Sequence, residues 1–202
     1  MNVKSKEKMI WFIDNHLMAI IGALYTITAL VVVASAWIEN IFRYDLRLTI
    51  SIYVALRPWT AVLYGIAAII MTAIGIRYIN KCVLHKGKRY VYYTVFTCVL
   101  GCALCPCNSE WSMIMYFLHN AFAIILMFMV LISFILALIK AKFSLQRIVS
   151  VISICYAVFF IVSYLVFRVK FFAMTFFVWE NLFIYLLLAN LYFEKLNLKI
   201  DT

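Results

Sequence analysis

The chain has 202 residues, of which 68% are hydrophobic and 13% charged, and its formal net charge is +10. Soluble domains are about half apolar, so this chain carries more apolar surface than a core of its length can bury. The composition excludes a soluble domain and predicts a protein whose apolar side chains face lipid.

Apolar runs long enough to cross a bilayer recur along the chain. A helix rises about 1.5 Å per residue, so about 20 apolar residues cross a hydrocarbon core of about 30 Å. These runs lack the alternation of barrel strands, which leaves helices as the structure that satisfies its backbone in lipid. The sequence predicts an all-α polytopic membrane protein, a single domain over residues 1–202 formed by a six-transmembrane-helix bundle. The predicted spans are 11–37, 58–79, 90–106, 111–139, 148–167 and 171–193.

The basic residues at the ends of the predicted spans indicate how the chain is oriented. Thirteen fall on one side of the membrane: Lys4, Lys6, Lys8, Arg77, Lys81, Lys86, Lys88, Arg89, Lys140, Lys142, Arg147, Lys195 and Lys199. Five fall on the other: Arg43, Arg47, Arg57, Arg168 and Lys170. Cytoplasmic loops are rich in Lys and Arg, so the sequence predicts that both termini are cytoplasmic. This asymmetry accounts for the net charge without a nucleic-acid partner, and it predicts a multi-pass protein of the cell membrane in contact with membrane lipids.

The region of the second span contains a boundary and a stripe of small residues. Residues 48–56 are apolar and precede Arg57-Pro58, where a helix is expected to begin because proline suits the first helical turn. We expect the preceding segment to lie along the outer surface, as a strand or an amphipathic piece. Small residues let helices approach closely, which predicts either packing within the chain or a homo-oligomer interface. The stripe consists of Ala61, Gly65, Ala68, Thr72 and Gly75.

Four cysteines crowd the outer end of the third span, at positions 98, 102, 105 and 107. A CxxC pair near an oxidising compartment can exchange disulfides. The spacing Cys102-Ala103-Leu104-Cys105 resembles the DsbB family of membrane disulfide oxidoreductases, which pass electrons to quinone. Over these four residues, the resemblance implies Cys102 and Cys105 as a redox pair and quinone as the cofactor. The alternatives are that the cysteines pack between helices or form a structural disulfide at the rim.

Two ionisable residues lie deep in predicted spans, where such groups are costly and therefore candidates for function. His119 is eight residues past Trp111 and Glu180 nine past Phe171, which places both about 12 to 13 Å below the outer end of their spans. An imidazole near a carboxylate can shuttle protons, bind a metal or hold a polar head group, although such pairs also join helices without further function. One His and one Glu are too few to predict a metal site. The predicted ligand-binding residues are Arg57, Tyr64, His119, Asn120, Glu180 and Asn181.

The layout resembles the Frag, DRAM and Sfk-like six-span membrane proteins and their uncharacterised bacterial relatives. Their shared features are cytoplasmic termini, an Ile-Ser motif before the second span and a polar residue early in the fourth. The matching residues here are Ile50-Ser51 and His119-Asn120. The resemblance implies a lipid-related or membrane-organising role.

Three classes of function remain open on the sequence. The leading hypothesis is that the protein binds a lipid or amphiphile in an outward-facing cavity, where Arg57 attracts an anionic head group. This hypothesis involves no cofactor. The second is a quinone-linked thiol oxidoreductase. The third is a small oligomeric channel or transporter, a class that usually contains helices broken by Gly or Pro.

Overall fold

A computed structural model describes residues 3–38, 50–108, 110–163 and 176–201. Within these ranges the chain is helical and contains no strand. The helices are α1 (Val3–Ile38), α2 (Ile50–Val54), α3 (Pro58–Cys82), α4 (Lys86–Leu104), α5 (Met113–Ile139), α6 (Ser144–Val162) and α7 (Phe176–Asp201).

Among the residues that the structure describes, four helices are long and apolar enough to cross a membrane: residues His16–Ser35 within α1, and the whole of α3, α5 and α6. Charged residues are present in the other two long helices, α4 and α7. The first turn of α4 holds Lys86, Lys88 and Arg89, and α7 holds Glu180, Glu194 and Lys195. The structure supports the prediction of an all-helical protein with helices that can be embedded in a membrane.

Several predicted boundaries differ from the observed ones. The third span was expected over 90–106, whereas α4 begins at Lys86 and ends at Leu104. Helix α7 extends past the predicted end at Phe193 to Asp201. Helix α3 begins at the expected residue, Pro58, with Arg57 in extended geometry before it. The end of the fifth span, the start of the sixth, and Arg43, Arg47, Arg168 and Lys170 lie outside the described residues.

Short connections make α3, α4, α5 and α6 antiparallel neighbours, so the bundle has two distinct ends. We call one the cavity end; it contains the start of α3, the end of α4 and the start of α5. We call the other the basic end; it contains the end of α3, the start of α4 and the end of α5. Helix α7 reaches both, because its Glu180 lies at the cavity end and its Glu194 contacts Lys88 at the basic end.

Glycines bring α4 close to both of its neighbours. A Cβ atom on Gly75 of α3 would overlap the ring of Phe96 in α4. A Cβ atom on Gly101 of α4 would lie 2.6 Å from the ring of Phe122 in α5. The small-residue stripe of α3 thus packs within the chain, with Ala68 fully buried. Its use in a homo-oligomer stays a prediction.

The segment before α3 is a short helix. Its sequence, Ile-Ser-Ile-Tyr-Val, is rich in residues that favour strands. Tertiary contacts override this preference, because the Glu180 carboxylate accepts a hydrogen bond of 2.8 Å from the backbone N–H of Ile50, which an isolated turn would leave without a partner. Ile50, Tyr53 and Val54 are buried, so α2 is part of the packed bundle.

A buried polar cluster joins α6 to α7. The amide nitrogen of Asn190 donates to the hydroxyl of Ser153 at 2.9 Å, and the hydroxyl of Ser150 donates to the Asn190 carbonyl oxygen at 3.0 Å. All three side chains are fully buried. Because each polar atom of the Asn190 amide has a partner, this cluster holds two helices together and leaves no group to bind a ligand.

Candidate functional site

A cavity of about 360 Å³ lies at the cavity end, between α2, α5, α7 and the neighbouring helices. Its wall is largely apolar and aromatic, with a few polar groups facing inward. This combination is typical of small-molecule sites, whose volumes start at about 300 Å³. The polar and ionisable lining residues are Tyr25, Ser51, Tyr64, Cys102, Cys107, Tyr116, His119, Asn120 and Glu180.

His119 is held by the end of α4. Its Nδ1 atom lies 3.0 Å from the carbonyl oxygen of Cys102 and 2.8 Å from that of Cys105. A carbonyl only accepts hydrogen bonds, so Nδ1 carries the proton and donates it. These contacts satisfy carbonyls that a helix end leaves without partners, and in a neutral imidazole they select the tautomer with the lone pair on Nε2. His119 also lines the cavity.

Glu180 is held by the start of α2. One carboxylate oxygen accepts from the backbone N–H of Ile50, and the carboxylate also accepts from the hydroxyl of Ser51. Anionic groups suit the start of a helix because N–H donors point outward there. No hydrogen bond joins His119 to Glu180; each is oriented by a different element. The end of α4 therefore orients His119, the start of α2 orients Glu180, and both residues line the cavity.

Helix α2 closes one side of the cavity and is fixed at both ends. Ser51, Ile52 and Val54 face the cavity. Beyond the helix, the hydroxyl of Thr60 donates to the Val54 carbonyl at 2.8 Å. The amide of Asn108, in the connection between α4 and α5, donates to the Ala55 carbonyl at 3.2 Å. The outer segment thus forms a fixed wall of the cavity.

The structure brings four of the six predicted ligand-binding residues to one cavity: Tyr64, His119, Asn120 and Glu180. Arg57 and Asn181 are not among the lining residues. The Arg57 side chain is exposed at the start of α3, and the Asn181 carbonyl oxygen accepts from the hydroxyl of Tyr25 at 3.1 Å. Arg57 therefore does not line the cavity, although the hypothesis of an anionic head group required it there.

Sequence reasoning missed Tyr25, Ser51 and Tyr116 as lining residues. Tyr25 lies in the first span, and nothing in its local sequence distinguishes it from a core tyrosine. Ser51 and Tyr116 carried a usable signal: Ser51 belongs to the Ile-Ser motif, and Tyr116 precedes His119 by three residues, nearly one helical turn.

The cavity is electronegative over the described residues. Glu180 is its one carboxylate, and no Lys or Arg of the described chain lines it. The Glu180 charge also reaches Cys107, in the connection between α4 and α5. Burial, and then the nearby Glu180 carboxylate, raise the pKa of the Cys107 thiol. The raised pKa opposes thiolate formation at this position.

All six cysteines are free thiols. Cys102 lines the cavity, and its thiol contacts the His119 carbonyl at 3.8 Å. Cys105 is buried and is not among the lining residues, although its carbonyl orients His119. The two members of the predicted redox pair thus have different surroundings.

Among the described residues, no group of three or more His, Cys, Asp or Glu side chains converges as a metal site would require. No known protein family, characterised protein or solved structure matches the chain. Its candidate chemistry therefore rests on the cavity: an apolar and aromatic wall with a carboxylate, an imidazole acceptor and three tyrosine hydroxyls.

Proposed function

We propose that this is a six-span protein of the cell membrane, with both termini cytoplasmic, that binds an amphiphile in the cavity. The distribution of Lys and Arg supports the orientation, and four strongly apolar helices support insertion. Kinship to the Frag, DRAM and Sfk-like proteins is part of the proposal. It draws support from Ser51, His119 and Asn120, which belong to the matching motifs and line the cavity.

The single observation that carries the proposal is the Glu180 carboxylate in a cavity where no described Lys or Arg offsets it. A buried carboxylate favours an ammonium or another strong hydrogen-bond donor as its partner. His119 adds an acceptor at Nε2, and tyrosine rings attract cations. The head group of the ligand is thus a cationic amine, and the anionic head group expected from Arg57 is replaced by one of opposite charge.

The remaining wall suits an acyl or alkyl chain. Leu126, Met127, Phe160, Phe183 and Ile184 line the cavity with apolar surface. A polar head held by Glu180 and a chain held by these residues together describe an amphiphile. A binding or accessory role follows most directly, because the lining residues include no nucleophile paired with a base in a recognisable catalytic arrangement.

Three amphiphiles with one chain length test the proposal: decylamine, decanol and decanoate. The full-length protein is purified in mild detergent, and binding is measured by native mass spectrometry and by the shift in thermal unfolding temperature. We expect decylamine to bind best and decanoate worst. Glu180→Gln keeps the shape and an acceptor for Ile50 but removes the charge, so it should lower decylamine affinity about tenfold or more.

Glu110→Gln is the matched control. Glu110 is exposed in the same connection as Cys107, and its side chain does not line the cavity. It removes one negative charge from the same end of the bundle and should leave the order of the three probes unchanged. Equal binding of decanoate and decylamine, or an unchanged preference in Glu180→Gln, would contradict the proposal.

Thiol–disulfide exchange at Cys102 and Cys105 is a second candidate, favoured by the position of Cys102 in a cavity that admits amphiphiles. Two thiols would lose two electrons and two protons to a quinone, giving a disulfide and a quinol. Thiol alkylation of native membranes followed by mass spectrometry tests this by giving the redox state of Cys102 and Cys105. A pair that stays reduced when a short-chain quinone is added rules the candidate out.

A further inference from the structure

One face of α5 changes from polar to apolar along the cavity. Tyr116, His119 and Asn120 line the cavity with polar groups, and Ala123 and Met127 continue the same face at helical spacing with apolar ones. His119 lies near the start of α5, at the cavity end, and Met127 lies eight residues further along, at the middle of the helix. An amphiphile in this cavity therefore has its head at the cavity end and its chain along α5.

The same face becomes part of the packed core beyond Met127. Val130 and Phe134, three and seven residues further on, are fully buried and do not line the cavity. The Phe134 ring meets the Phe183 ring edge to face at a centroid distance of 6.2 Å, and Phe183 stacks on Phe160 at 5.4 Å. Phe160 and Phe183 line the cavity, with Phe134 behind them. The cavity therefore ends at a cluster of packed rings, which does not yield easily to a longer ligand.

The distance from the polar groups to this closed end sets the length of the chain. His119 and Met127 are eight residues apart, about 12 Å along the helix axis. An extended alkyl chain advances about 1.25 Å per bond, for carbon–carbon bonds of about 1.5 Å and bond angles of about 111°, so about ten carbons cover this distance.

The volume of the cavity leads to a similar size. A methylene group is about as large as a water molecule, whose share of the liquid is about 30 Å³. A cavity of about 360 Å³ therefore holds about 12 such groups. This is enough for one chain and its head group, and too little for two chains.

Met127 lies where the chain would end. It is the last lining residue along this face of α5. Long side chains on a helix lean toward its N-terminus, which for α5 is the cavity end, so the Met127 side chain leans into the path of the chain. A smaller residue at this position would leave room for a longer chain.

We propose that the cavity selects its ligand by chain length, accepting a single unbranched chain of about ten carbons whose methyl end lies against Met127 and the rings of Phe160 and Phe183. This limit rests on the proposed function, because it concerns the chain of the cationic amine whose head contacts Glu180. It excludes the two-chain lipids that form the surrounding bilayer.

A series of primary amines tests the limit on the full-length protein in mild detergent: hexylamine, octylamine, decylamine, dodecylamine and tetradecylamine. Each affinity is referred to the free aqueous concentration of the amine, so that uptake into detergent does not enter the comparison. We expect the affinity to rise about fourfold for each added methylene as far as decylamine, and to level off beyond it. Didecylamine, which has a second chain on the nitrogen, should bind about tenfold or more weakly than decylamine.

Met127→Ala should move the limit to longer chains. It should raise the affinity for dodecylamine about tenfold, because further methylenes are then buried, and leave the affinity for hexylamine unchanged. Met115→Ala is the matched control, since Met115 is an exposed methionine of the same helix that does not line the cavity. The control should leave the whole series unchanged. A gain in affinity cannot come from a variant that fails to fold.

A second pair of variants tests the path of the chain. Ala123→Leu places a larger side chain between His119 and Met127 and should lower the affinity for decylamine about tenfold or more. Ala121→Leu makes the same change at an exposed position of α5 outside the cavity, and should have no effect.

The chain-length limit is ruled out if affinity keeps rising from decylamine to tetradecylamine, or if didecylamine binds as tightly as decylamine. It is ruled out equally if Met127→Ala and Met115→Ala have the same affinity for dodecylamine, or if Ala123→Leu leaves decylamine binding unchanged. In each of these cases decylamine still binds, and the proposed function stands. If no amine of the series binds, the proposed function fails and the limit fails with it.

Discussion

Glu180 and Glu194 lie on the same helix, fourteen residues and about 21 Å apart, yet their surroundings differ. Glu194 contacts the buried ammonium of Lys88 at 2.7 Å, so its charge is balanced. Glu180 accepts from a backbone N–H and a hydroxyl, and no described Lys or Arg lines its cavity. Hydrogen bonds from neutral donors orient a carboxylate without cancelling its charge.

The largest effect should come from breaking the balanced pair. Glu194→Leu leaves the Lys88 ammonium buried without its partner, which should lower the free energy of unfolding by about 3 to 5 kcal/mol. Stability is measured by titrating the protein from mild detergent into sodium dodecyl sulfate and following circular dichroism. The double variant Lys88→Met with Glu194→Leu should recover most of the loss, because neither charge is then buried.

A double variant as unstable as Glu194→Leu would show that side-chain shape, not charge pairing, sets stability at the basic end. The contrast between the two glutamates would then not hold for Glu194, whose charge pairing with Lys88 would not set stability. A recovered double variant sharpens the comparison, because it shows that the basic end depends on charge balance.

The next effect tests what holds the cavity end, where Gly101 allows a close approach of α4 and α5. Gly101 lets the Phe122 ring lie against α4, one residue before Cys102 and near the carbonyls that orient His119. Gly101→Ala should lower the free energy of unfolding by about 1 to 3 kcal/mol, because the added methyl overlaps the ring near its attachment point. The same detergent titration measures it.

Gly65→Ala is the control for the Gly101 substitution. Its added methyl would lie 3.6 Å from the nearest side-chain atom, an ordinary contact, and alanine favours a helix over glycine by about 1 kcal/mol. We expect that variant to be neutral or more stable. Equal destabilisation by both substitutions would mean that the close approach of α4 and α5 does not support the cavity end.

These contacts mark the limit of what the sequence could predict. Long apolar runs predicted the helices, Pro58 predicted the start of α3, and the rise of a helix placed His119 and Glu180 at one depth. All three are local properties of the chain. The Lys88–Glu194 pair joins residues 106 apart in the sequence, so it depends on which helices are neighbours, and no local pattern specifies that.

Helix α2 shows the same limit, because here contacts from distant residues override a local preference. Local preference favours a strand for Ile50–Val54, but a carboxylate from α7 and the side chains of Thr60 and Asn108 hold the segment as a helical turn. The third predicted span also differs from the observed helix: α4 begins at Lys86, and Lys88 in its first turn contacts the buried Glu194. Arg57, an expected head-group ligand, is at a helix start where its side chain is exposed.

A smaller effect separates the two roles of Glu180, as a cap on α2 and as a negative charge. Glu180→Leu removes the acceptor for the Ile50 N–H and should lower the free energy of unfolding by about 1 to 3 kcal/mol. Glu180→Gln keeps an acceptor oxygen and should cost less than about 1 kcal/mol. Equal losses in the detergent titration would mean that the charge itself, and not the hydrogen bond, fixes α2.

The smallest effect reports the Glu180 charge directly, through the reactivity of Cys107. Burial and the Glu180 carboxylate raise the pKa of this thiol, so at pH 8 it holds less thiolate than an ordinary cysteine. Glu180→Gln removes the second cause, the pKa falls, and alkylation of Cys107 by iodoacetamide should become about two- to fourfold faster. Peptide mass spectrometry follows Cys107 separately from the other five cysteines. Glu110→Gln removes an exposed charge from the same connection and should leave the rate unchanged. If Glu180→Gln leaves the rate unchanged as well, the Glu180 carboxyl group is protonated in the resting protein. Glu180 and Glu194 would then differ in their protonation and not in the partners that they contact.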